Sequence, residues 1–175
     1  MENTFNLKKF LVENKLTTNS KLLKEEAQEM TPQQAATAAT KVVGNMKNNP
    51  AIAKVAAKIK QDPKALEQLK NVLVKVGIDP NNLSENIDSD TINKLALAMA
   101  QKSENLEENA GGGFWVGLIG GGFLANYLAG LNDVVYTAQE IILGASNPSH
   151  MTATVIGAIA GAVLGVIAGA VLSED

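Results

Sequence analysis

Few residues in this chain are equipped for covalent or metal chemistry, and their spacing does not gather them. His150 is the single histidine, and there is no cysteine and no arginine. A thiolate nucleophile, a cysteine-held zinc and a disulfide framework are thereby excluded. One histidine makes no metal cluster, and no carboxylate stands at helical spacing from His150, so it reads as a turn residue at a water boundary. Gly111–Gly113 and Gly120–Gly122 are glycine-rich, but no lysine follows them. A phosphate placed there meets no positive charge. No nucleophile elbow or two-carboxylate constellation is present either. The expectation is a protein that is not an enzyme and needs no cofactor.

The spacing that does stand out belongs to small residues. Gly157, Gly161, Gly165 and Gly169 recur every four positions, flanked in frame by Ala153 and Ser173. Gly113, Gly117 and Gly121 do the same, continued by Ala125 and Ala129. A step of four keeps these positions on one helical face, where the missing side chains let two backbones approach closely. Both stripes lie in stretches free of charge, 110–131 and 151–172, each 22 residues long. About 20 apolar residues suffice to cross a bilayer as a helix. In water each interior glycine costs a helix about 1 kcal/mol relative to alanine, so so many glycines favour lipid. The reading is a two-span membrane hairpin, 113–175, packed through its glycine zipper. Leucine at Gly161 or Gly165 should then break association, whereas leucine at Ile159 or Val163 should be silent. Asn126, an amide inside the first span, is placed to hydrogen-bond across the hairpin.

Between the spans, Val134, Val135, Ala138, Ile141 and Ile142 follow one-sided helical spacing, with Asp133, Gln139 and Glu140 off that stripe. This predicts a helix over 133–143, interfacial on the membrane surface or capping the hairpin. Trp115, Tyr127 and Tyr136 suit the membrane–water boundary.

The elements that carry this hairpin are written in a different composition. Residues 1–108 hold all 15 lysines and 14 of the 18 acids, whereas 109–175 hold 13 of the 15 glycines and four acids. The formal net charge is −3 and aromatics make up 4%. With no arginine this argues against sequence-specific nucleic-acid binding and a base-stacking surface. The Met1–Phe5 start has no basic and apolar signal pattern, so no secretory leader is expected. Lysines confined to 1–102 favour a cytoplasmic N-terminal side in a cellular membrane.

Prolines punctuate the chain as Thr31-Pro32, Asn49-Pro50, Asp62-Pro63, Asp79-Pro80 and Asn147-Pro148. Each follows a residue able to cap a helix, and proline is tolerated at the first helical position. Thr31 and Gln34 have capping-box spacing. Apolar positions follow at helical intervals: Ala35, Ala38, Ala39, Val42, Val43 and Met46, then Ile52, Val55, Ala56 and Ile59. Leu66, Leu69, Val72, Leu73 and Val76 come next, closed by Gly77, and then a helix capped by Ser89 or Asp90 carries Ile92, Leu95, Leu97 and Met99. No run alternates with period two. The fold is predicted all-α: amphipathic leader helices over 1–30, a small bundle over 31–103, a linker over 104–112, then the hairpin. A bundle of short alanine-rich helices buries a thin core and is marginal alone.

Three resemblances add expectations. The Asn49-Pro50-Ala51-Ile52 and Asp62-Pro63-Lys64-Ala65-Leu66 segments are similar to the Asn-Pro/Asp-Pro helices of STI1-type co-chaperone modules, which form grooves for hydrophobic segments. The amphipathic string Phe5–Ser20, with Phe5, Leu7, Phe10 and Leu11 on its apolar side, resembles a leader of predicted structural proteins of environmental tailed bacteriophages. That resemblance implies a docking tag toward other virion proteins. Leu11-Val12-Glu13, Leu23-Lys24-Glu25 and Leu106-Glu107-Glu108 resemble the Leu-x-Glu sites of phage maturation proteases, which implies cleavage after Glu108. Together these readings predict a virion component whose partners are the lipid bilayer, its own copies and other virion proteins, and which inserts its hairpin into a host envelope during genome delivery. The alternatives are an integral pore or holin-like protein of a cellular membrane, and a structural virion protein with its hairpin buried between subunits.

Overall fold

The computed structural model describes residues 30–80, 88–103, 115, 118, 119, 122–144 and 153–172. Among these the fold is all-α. The helices are α1 (Pro32–Asn45), α2 (Pro50–Gln61), α3 (Pro63–Lys75), α4 (Ser89–Ser103), α5 (Phe123–Leu128), α6 (Asn132–Leu143) and α7 (Ala153–Leu172), with a 3₁₀ turn Ala129–Leu131 joining α5 to α6.

The caps explain where the first helices begin. Gln34 N–H donates to Thr31 Oγ1 at 3.3 Å while Thr31 N–H donates to Gln34 Oε1 at 3.0 Å, a reciprocal capping box. Asn49 Oδ1 accepts from Ala51 N–H at 2.8 Å, and Asp62 Oδ1 accepts from the N–H groups of Lys64 and Ala65 at 3.0 and 3.4 Å. Pro32, Pro50 and Pro63 thus open helices as expected. The cap of α4 is neither Ser89 nor Asp90 but Asp88, whose Oδ1 accepts from Thr91 N–H at 2.8 Å. Gly77, at φ +84°, ends α3, and Ile78 N–H reaches back to Leu73 C=O at 3.0 Å.

α7 is the axis of the molecule. It packs most extensively on α4, then on α1, and it also touches α2 and α6. α1 and α4 pack on each other beside it, while α3 reaches the core through α2 and α5. Burial follows amphipathic spacing: Ala35, Ala36, Ala39 and Val43 on α1, Ile52, Val55, Ala56 and Ile59 on α2, Ala65, Leu69, Val72 and Leu73 on α3. Short helices around one apolar helix form a single core.

Two expectations are corrected here. The stretch 110–131 is not one spanning helix. Gly122 sits at φ +131°, a conformation no right-handed helix contains, and the chain beyond it gives six helical residues and then the 3₁₀ turn. Among the described residues α7 is the one helix long and apolar enough to cross a membrane. The helix expected over 133–143 is α6, but its buried face is rotated from the expected stripe. Val134, Val135, Ala138 and Gln139 are buried, whereas Ile141 is 55% exposed.

Candidate functional site: the core helix and its seam

Fourteen of the twenty residues of α7 are buried, on every side of the helix. Ile159 and Val163, off the glycine stripe, are as completely enclosed as Ala160 and Ala162. In the folded chain its own helices cover both the stripe and the face opposite it.

Three glycines of the stripe form the seam with α4. A Cβ on Gly157 would collide with Ser103 Oγ and lie 2.6 Å from Met99 C=O. On Gly161 it would meet Leu95 C=O and lie 2.7 Å from Ala96 Cα. On Gly165 it would stand 3.1 Å from Ile92 Cγ1 and 3.2 Å from Ile92 Cα. The two helices thus approach backbone to backbone at Gly157 and Gly161 and open slightly at Gly165. Gly169, at the far end, is half-buried. Within the chain, Gly157, Gly161 and Gly165 thus face α4.

On α4 the stripe meets the carbonyls of Leu95 and Met99, the Cα of Ala96 and Ser103 Oγ; Ala96, Ala100 and Ser103 are all buried, and Ser103 Oγ donates to Ala100 C=O at 2.8 Å. This small-residue face escaped sequence reading. Its signal was the spacing 96, 100, 103, hidden because alanine is also a common helix former.

The other predicted residues scatter. Ala125 is buried in α5, which packs on α2 and α3 rather than on the α7 stripe. Gly113, Gly117, Gly121 and His150 lie outside the described residues, as do Phe5, Leu7, Phe10, Leu11 and the three Leu-x-Glu triplets. Trp115 is fully buried, its Nε1–H donating to Asn132 Oδ1 at 2.9 Å. Tyr127 is half-buried, its O–H donating to Asp62 Oδ2 at 2.7 Å and its ring edge-on to Phe123 at 5.5 Å. Tyr136 is the outward-facing aromatic of the three, at 42% exposure, and Asn126 is exposed.

Two polar features were not foreseen. Leu124 N–H donates to Gln68 Oε1, and with the Tyr127–Asp62 bond this clasps α5 to the α2–α3 corner. The Tyr127 hydroxyl is also the main reason the Asp62 carboxyl sits below its ordinary range; partial desolvation opposes this, and the Lys64 and Ala65 amides assist it. On α6, Gln139 is 3% exposed and its Oε1 accepts no hydrogen bond.

Among the described residues no group of three histidine, cysteine or acidic side chains is placed to hold a metal. Compared with known protein families, characterised proteins and solved structures, the chain matches none of them.

Proposed function

We propose that this protein is a phage virion-associated, membrane-active protein that stores one spanning helix inside a water-compatible sheath and releases it into the host envelope during genome delivery. The observation that carries the reading is α7 itself: twenty residues, uncharged, with no polar face. At 1.5 Å per residue such a helix measures about 30 Å, the thickness of a bilayer's hydrocarbon core. Exposing it to water costs about 25 cal/mol per Å² of apolar surface, but transfer from protein to lipid costs little, because lipid tails are as apolar as leucine. The sheath supports the same reading, since α1, α2 and α4 each offer an apolar face inward, with Lys41 on α1, Lys54, Lys58 and Lys60 on α2, and Lys94 and Lys102 on α4 turned outward. Once α7 leaves α4, its glycine stripe is available to a second copy, the route by which an oligomer forms in lipid. The virion setting rests on the Phe5–Ser20 leader resemblance.

A second reading has its own support. The close approach to α4 accounts for Gly157, Gly161 and Gly165 without lipid, which favours a structural virion protein whose core helix never leaves. Purified particles decide the setting, through recovery of the intact chain from them. Purified protein added to dye-loaded vesicles decides the activity. Leakage together with detergent-dependent extraction of α7 is expected; a chain that stays soluble beside intact vesicles overturns the delivery role.

A further inference from the structure

We propose that the wedge between α3 and α4 is a binding site for an anionic alkyl chain, a carboxylate or phosphate carried on an acyl tail. A cavity of about 250 Å³ opens there. Its apolar wall is made by Val72, Met99, Leu118 and Ile119, all of them buried side chains. Its polar wall carries Lys75 from α3 and Gln101 and Lys102 from α4, all exposed, and among the described residues no acidic side chain lines it.

That combination selects its ligand. The apolar wall rewards a hydrocarbon. Two lysines from opposite walls favour a negative head at the mouth and disfavour an ammonium. The volume is small for a ligand pocket and suits one chain rather than a two-tailed lipid swallowed whole. A phospholipid would lodge one acyl tail and leave its anionic head between the lysines.

The position of the site gives the binding a consequence. Met99, in the apolar wall, is also the residue whose carbonyl lies against Gly157 in the α4–α7 seam. A tail that displaces Met99 acts on the contact holding the core helix. This clause rests on the delivery reading; the binding itself does not, and it is measured separately from leakage.

Trp115 is the single tryptophan, three and four positions before Leu118 and Ile119 of the apolar wall. Brominated dodecanoate, which quenches a nearby indole without touching it, therefore reports occupancy in the full-length chain. Saturable quenching is expected, weaker by about tenfold or more for brominated dodecanol and for the double variant Lys75→Glu/Lys102→Glu. Ala98→Phe, which fills the cavity and leaves the charge unchanged, should abolish it; circular dichroism checks that each variant is folded. Absence of quenching, quenching as strong with the alcohol, or quenching unaffected by the lysine pair overturns the site. Vesicles of brominated phosphatidylglycerol against brominated phosphatidylcholine then separate the sources of the same chemistry. Quenching by the first alone identifies the bilayer as supplier, and quenching by free dodecanoate alone identifies a fatty acid.

Discussion

A single Cβ atom is the sharpest probe of the α4–α7 seam. At Gly161 the added carbon meets main-chain atoms of Leu95 and Ala96, which cannot swing aside. Gly161→Ala should lower stability by about 1–3 kcal/mol, an overpacking loss larger than the helix-propensity gain of about 1 kcal/mol. Gly165→Ala crowds only Ile92, and the propensity gain should leave it near neutral. Urea unfolding of the two variants checks the order, and equal midpoints would remove the close seam. Asp62 offers a second residue-scale test. Its carboxyl is held low in the folded chain, first by the Tyr127 hydroxyl, so the stabilisation is present above the unfolded pKa and is lost as pH falls through the folded one. Tyr127→Phe should move the Asp62 titration up toward the ordinary carboxylate range, read by NMR. An unmoved titration would mean that the clasp on α5 does not form in solution.

At the scale of elements, α6 carries a visible weakness. Gln139 buries an amide oxygen with no donor, and such an orphan costs about 1–3 kcal/mol. Gln139→Met keeps the length and removes the polar group, and it should raise the unfolding free energy by that order; a lower value would point to a bound water serving the amide. The same helix shows where sequence reading stops. Helix identity and starts were legible through Pro32, Pro50 and Pro63, because caps and first-turn prolines act within three or four residues. The apolar face of α6 was legible only in part, since periodicity does not reveal that tertiary packing turns Gln139 inward and Ile141 outward. The clasp was illegible, since its bonds join residues 56 and 65 positions apart and leave no local pattern. The glycine stripe announced a close contact but not its partner. That partner is decided by the whole chain, in which α4 supplies the matching small residues.

For the molecule as a whole, the question is whether α7 must leave α4 in order to act. The chain contains no cysteine, so an introduced pair forms a defined bridge. A Cβ built at Gly165 stands 3.4 Å from Ile92 Cβ, close to the 3.5–4.5 Å that a disulfide spans, so Ile92→Cys/Gly165→Cys should oxidise with small adjustment. The bridge ties the core helix to its sheath without altering the outer surface. If insertion requires separation of the two helices, the oxidised variant should bind vesicles and release no dye, and a reductant should restore leakage. The reduced variant is its own control for any packing loss at the two positions. A bridged protein that leaks as fast as its reduced form would mean that α7 acts without leaving α4, and the stored-helix mechanism would fall.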